Sequence, residues 1–186
     1  MITPNRLTAV RILIALVSPV LLIAKRSLAT EFFVLAAFTV ACVTDWWDGH
    51  LARTKAMETQ AGKIADPIAD KLLISGLMAA FAYLKLYAFE WVVPIVLREA
   101  AVTAVRLNLL RKGRVIPAEW AGKVKIGFQI GSIYATLVFL MAQDSAINFS
   151  PALFQLIQIL HYLGIFLAVS VTVVSGLSFF GRLAKP

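Results

Sequence analysis

The chain has 186 residues, 60% of them hydrophobic and only 15% charged, with a mean hydropathy of +0.84. Soluble domains carry roughly 45–50% apolar and about 25% charged residues, so this composition excludes a water-soluble globule and predicts one integral membrane unit over residues 1–186. The formal charge of +8 does not predict a nucleic-acid partner, because the basic residues gather at the ends of apolar segments, where topology and anionic headgroups place them.

A membrane-crossing helix needs about 20 mainly apolar residues, within a range of roughly 17–25. The first such segment covers residues 7–24. It follows Arg6 in the manner of a signal peptide, but Lys25-Arg26 come at once and no A-x-A site appears, so a retained helix is expected. The second covers 32–53 and contains Cys42, the chain's single cysteine, which excludes a disulfide framework and reads as a small buried hydrophobe. The third, fourth and fifth cover 64–84, 91–110 and 124–142. The sixth, 153–180, is long enough to tilt or to extend past the bilayer. Barrel strands would need alternating polar and apolar residues, which are missing. The expected fold class is therefore all-α, a bundle of six transmembrane helices.

His50 and His161 lack metal-ligand spacing and read as packing or interfacial hydrogen bonds. Gly127-x-x-x-Gly131 lets another helix come close, either within the chain or from a second copy. Topology follows from the basic residues. Arg53, Lys55 and Lys63 flank the second break, Arg111, Lys112, Arg114 and Lys123 the fourth, and Arg182 and Lys185 the tail. These must share one side, which positive-inside bias makes the cytoplasm.

Chemistry concentrates at one place. The second segment ends in Asp45-Trp46-Trp47-Asp48-Gly49-His50-Leu51-Ala52-Arg53, and the third opens with Gly62-Lys63-Ile64-Ala65-Asp66-Pro67-Ile68-Ala69-Asp70. These four aspartates are among only ten acidic residues in the chain. A carboxylate within a membrane segment costs roughly 2.5–3.5 kcal/mol on insertion scales and usually marks a functional site. Asp45 and Asp48 lie at i, i+3, and Asp66 and Asp70 at i, i+4, so each pair shares one helix face. Pro67 is expected in a helix that has only just begun, where an amide would lack a partner anyway. Like charges so close need protons or a cation to settle them. Hard carboxylate oxygens favour Mg2+ or Mn2+ over zinc. Magnesium typically recruits substrate phosphates as well, so a pyrophosphate is the natural ligand, and four aspartates suffice for two ions. Gly49 and Ala52 leave room for a nucleotide, and Arg53 adds positive charge. A divalent-cation transporter is the alternative from another class, but it would need polar groups through the full membrane depth, and residues 32–43 are almost entirely apolar.

The pattern D-x-x-D-G-x-x-A-R-x8-G-x-x-x-D-x-x-x-D resembles the signature of the CDP-alcohol phosphotransferase family, with every fixed position filled. That resemblance implies a six-helix membrane fold, usually homodimeric, with a cytoplasm-facing polar cavity. It implies that Asp45, Asp48, Asp66 and Asp70 bind metal, that Asp70 is the base, and that Gly49, Ala52 and Arg53 contact the CDP moiety. Gly62, Thr44 and Asn5 join the CDP contacts on the same ground.

A second cluster bears on the acceptor. Arg98-Glu99 and Arg106 lie in the fourth segment, and Gly122-Lys123-Val124-Lys125 with Gln129 opens the fifth. Eight residues turn a helix by about 80° net at 3.6 residues per turn, so Arg98 and Arg106 can border one cavity. Lys125 and Gln129 share a face. Cations inside an apolar wall want an anionic partner, and arginine and lysine both suit phosphate. Balancing Glu99, Glu119 and the aspartates is the plainer reading. The spacing R-E-x6-R-x15-G-K-x-K-x3-Q is similar to that of bacterial family members that use sn-glycerol 3-phosphate, as is Pro4-Asn5-x-Leu7-Thr8-x-x-Arg11. Trp47 departs from the phenylalanine or leucine of that turn. The resemblance implies CDP-diacylglycerol as donor, membrane lipid as surroundings, a bacterial inner membrane, and Arg98, Arg106, Lys123 and Lys125 around the acceptor phosphate. Inositol phosphate or phosphatidylglycerol remain alternative acceptors.

Overall fold

The structure is a computed structural model that describes the backbone of residues 4–55, 60–113 and 120–183, and side chains over 9–45, 71–109, 111–113 and 122–183. The described residues form six α-helices and no strand: α1 (Pro4–Ala24), α2 (Leu28–Lys55), α3 (Gln60–Tyr83), α4 (Phe89–Arg111), α5 (Trp120–Asp144) and α6 (Pro151–Leu183). Each expected segment is present, extended by a few residues where caps and amphipathic ends continue the helix beyond the apolar run. Ser27 caps α2, its hydroxyl accepting the Thr30 amide at 3.3 Å. Ser150 caps α6 through the Leu153 amide at 3.3 Å, with Pro151 in the first helical position, where it lacks no needed donor. Gly113, at φ 72°, follows the end of α4 in the left-handed conformation that glycine adopts without strain.

One expectation is corrected. Because α3 begins at Gln60, Pro67 falls in its second turn rather than its first. There it forgoes a backbone hydrogen bond to the carbonyl four residues earlier.

Among the described residues, α2 from Leu28 to Asp45, α5 from Gly122 to Asp144 and the whole of α6 are long and apolar enough to cross a membrane. Shorter apolar stretches occupy Ala9–Ala24 and Lys71–Tyr83. Helix α4 differs because Arg98, Glu99 and Arg106 interrupt it.

The chain divides into two compact units, residues 1–84 with 140–147, and residues 85–139 with 148–186. In the first, α1 packs against both α2 and α3. Its core holds Ala15 and Leu22 from α1, Val34 and Phe38 from α2, and Leu77, Met78 and Phe81 from α3, all nearly inaccessible. Gly76 sets the approach of α3 to α1: a Cβ added there would lie 3.2 Å from Pro19 Cγ and 3.4 Å from the Ala15 carbonyl oxygen. The polar end of this unit is tied by Arg26, whose guanidinium donates to both carboxylate oxygens of Asp144 at 2.8 and 2.9 Å and to Gln143 at 2.8 Å. Fully buried Glu31 lies 3.6 Å from the same guanidinium.

In the second unit α4 packs on α6, and α5 meets α6 where Gly164 lies against Ser132. His161 is buried at its centre, as a packing histidine. Its Nε2 lies 3.2 Å from the Leu86 carbonyl and its Nδ1 3.1 Å from the Thr136 hydroxyl. Its ring stacks on Phe139 at 4.7 Å. Gly127 and Gly131 are exposed, with nothing within 4 Å of an added Cβ.

Overpacking a close helix crossing costs typically 1–3 kcal/mol. Gly76→Leu is therefore expected to lower the Tm of the detergent-solubilised protein by several degrees. Gly181→Ala, at a position where an added Cβ meets nothing within 4 Å, is the control and should leave the Tm near that of the parent.

Candidate active site

The aspartate motif occupies the last turns of α2 and the first turns of α3, two successive helices of one unit. Thr44 and Asp45 are the members whose side chains are described. Thr44 bonds back to its own helix, its hydroxyl donating to the Val40 carbonyl at 2.8 Å. That contact spends its donor on the preceding turn, a common recourse for threonine inside an apolar helix. The side chains of Asn5, Asp48, Gly49, Ala52, Arg53, Gly62, Asp66 and Asp70 lie outside the described residues, although the backbone of each is helical. Among the described residues no three acidic, histidine or cysteine side chains converge.

Asp45 has a partner that the motif does not include. Arg11 of α1 is 1% exposed and places Nη1 2.8 Å from Asp45 Oδ1. Taking a guanidinium out of water is costly unless a carboxylate and hydrogen bonds repay it. Burying Arg11 therefore fixes where Asp45 points. The Asp45 side chain itself stays 46% exposed, accessible to a ligand from the open side. A donor set of carboxylate oxygens, with one member held by a buried arginine, fits a hard divalent cation.

The basic cluster belongs to the second unit and is well described. Lys125 is 3% exposed and Glu99 6%. The Lys125 ammonium donates to Glu99 Oε1, and Arg98 Nη1 donates to the same oxygen at 3.3 Å. Arg106, one further face around α4, lies with its guanidinium carbon 5.7 Å from the centroid of Phe179. The Nε atoms of Arg98 and Arg106 are both buried without a hydrogen-bond partner. Gln129, one turn along from Lys125, donates to the Thr172 hydroxyl at 3.1 Å. Lys123 is exposed. Two residues separate it from Lys125 by about 200° around the helix, so the two lysines present opposite faces.

The structure thus brings Arg98 and Lys125 together on one carboxylate and leaves Lys123 apart. It also adds a wall missed in the sequence. Thr172, Ser175, Gly176 and Phe179 of α6 are all buried. Gly176 makes room for Arg98, since a Cβ there would stand 3.0 Å from Arg98 Cγ. Their i, i+3, i+4, i+7 spacing is the available signal: a stripe of small and polar residues on one face of an otherwise apolar helix.

Comparison with known proteins identifies the family. The family model described as CDP-alcohol phosphatidyltransferase matches residues 1–174. A CDP-diacylglycerol--glycerol-3-phosphate 3-phosphatidyltransferase from Bacillus subtilis is 36% identical over 145 residues, covering 78% of this chain and 70% of that protein. The Escherichia coli protein of the same name is 31% identical over 169 residues, covering 78% of this chain and 92% of its own length. A probable phosphatidylglycerophosphate synthase from Mycobacterium tuberculosis is 44% identical over 98 residues, about half of either chain at 53% and 46%. A match over nearly the whole length, with the aspartate motif on two successive helices, places the chain in the CDP-alcohol phosphatidyltransferase family.

Proposed function

We propose that this chain transfers the phosphatidyl group of CDP-diacylglycerol to sn-glycerol 3-phosphate, giving phosphatidylglycerophosphate and CMP. It works in a bacterial cytoplasmic membrane with its site towards the cytoplasm and as a homodimer, for which the open Gly127 and Gly131 face of α5 is available. The observation that carries the choice of acceptor is buried Lys125 together with half-buried Arg98 and Arg106 in the same unit. Cations are retained inside a membrane protein where an anion needs them, and two guanidinium Nε groups there have no acceptor among the described residues. Relatives named for glycerol 3-phosphate support the same substrate.

Asp45, Asp48, Asp66 and Asp70 would hold two Mg2+ or Mn2+ ions. When bound, such a pair neutralises the pyrophosphate and the departing phosphate, the electrostatic work that dominates this kind of transfer. The remaining work falls to side chains. Arg11 orients Asp45. Gly49, Ala52, Arg53 and Gly62, with Thr44 and Asn5, bind the CDP moiety. Arg98, Arg106 and Lys125 hold the acceptor phosphate. Asp70 takes the proton from the acceptor's primary hydroxyl as its oxygen bonds to the phosphorus attached to diacylglycerol. The bond from that phosphorus to the CMP oxygen breaks, and CMP leaves.

Presenting labelled glycerol 3-phosphate, inositol phosphate and phosphatidylglycerol in turn with CDP-diacylglycerol tests the acceptor. Turnover of only the last two would overturn the assignment. Asp70→Asn in purified protein should lower kcat by a factor of about 10² to 10⁴, the usual span for a lost general base. Chelation should abolish turnover, and added Mg2+ or Mn2+ should restore it. Arg106→Ala should raise KM for glycerol 3-phosphate at least tenfold while changing KM for the CDP-lipid little; equal changes in both would reject the phosphate role. Arg11→Ala should lower kcat/KM about 10–100-fold, the effect typical of a lost group behind a metal ligand. It should also raise the metal concentration needed for half activation, which separates it from loss of substrate contact.

A further inference from the structure

Glu99 has no role in the reaction as described so far, yet it is the acid around which the basic cluster is organised. It is 6% exposed, and its Oε1 accepts from both the Lys125 ammonium and Arg98 Nη1. Arg98 has little freedom elsewhere: its Cγ lies against Gly176 of α6, and its side chain is 12% exposed. Lys125 is more buried still. Two cations on one oxygen would repel each other if that oxygen carried no charge, and the repulsion grows as the surroundings become less polar. The carboxylate also sets the charge of the cluster. Arg98, Arg106 and Lys125 bring three positive charges and Glu99 removes one, which leaves an excess close to that of a phosphomonoester, about −1.5 to −2 at neutral pH.

We propose that Glu99 is a positioning residue for the acceptor. By holding Lys125 and Arg98 on a single oxygen, it fixes both cations beside the phosphate of a phosphomonoester substrate and matches the cluster's charge to that dianion. The free N–H of Arg98 Nε, buried and without a partner, is one donor available to that phosphate. This inference rests on the reading of the basic cluster as the acceptor-phosphate site.

The test uses the full chain in mixed detergent and lipid micelles, with Glu99→Gln and Glu99→Ala. The glutamine keeps an oxygen that both cations can reach but removes its charge; the alanine removes both. KM for glycerol 3-phosphate should rise at least tenfold in Glu99→Ala and by a smaller factor in Glu99→Gln, while KM for CDP-diacylglycerol stays within about twofold in each. The inhibition constant for inorganic phosphate should rise in parallel with the acceptor KM. A purely structural role would lower the Tm and affect both substrates alike, and that outcome, or no change in either KM, overturns the proposal. If Glu99→Ala does not fold, Glu99→Gln alone decides it. Should the parent protein not turn over glycerol 3-phosphate at all, the acceptor assignment fails. Glu99 is then judged by the Tm rise that inorganic phosphate gives the parent, which the Glu99→Gln variant must lose.

Discussion

A chain this apolar can keep a buried charge only by giving it a partner. An unpaired ion in the interior of a membrane protein costs several kcal/mol even after relaxation, so each inward-facing charge implies another beside it. Among the described residues three such arrangements stand out. Arg11 meets Asp45, Arg26 meets Asp144 and Glu31, and Lys125 and Arg98 meet Glu99. Each joins residues far apart in sequence or on different helices. They act as fixed points between elements whose apolar faces would otherwise slide.

The three differ in what they leave available. Arg26 engages Asp144 through both carboxylate oxygens and Gln143 as well, a contact that reads as a structural tie, while both oxygens of buried Glu31 beside it lack a hydrogen bond among the described residues. Asp45 keeps almost half of its side chain exposed, and the guanidinium beside Glu99 retains an Nε without an acceptor. An exposed carboxylate and a donor without an acceptor are groups that a substrate or cofactor can engage.

Much of the fold was legible because the membrane enforces it. The need to satisfy every backbone group internally turns each apolar run into a helix, so all six elements could be placed from hydropathy alone. The ends were less certain: Ser27 and Ser150 extend α2 and α6 through capping bonds that an apolar count does not register. Pro67 was misplaced for the same reason, since the turns that precede it in α3 are polar. His161 was correctly read as a packing residue, although its contacts with Leu86, Thr136 and Phe139 could not be foreseen.

By itself the sequence determined the helical membrane class and the acidic motif at the junction of α2 and α3. It also determined the family, because these rest on composition and on spacing within single helices. The tertiary structure decided which charges meet. Arg11 comes to Asp45, and Glu99 comes to lie beneath both Arg98 and Lys125, with Thr172, Gly176 and Phe179 of α6 as their wall. No periodicity within one helix encodes these pairings. They arise when apolar faces pack and the few charges left inside must find one another.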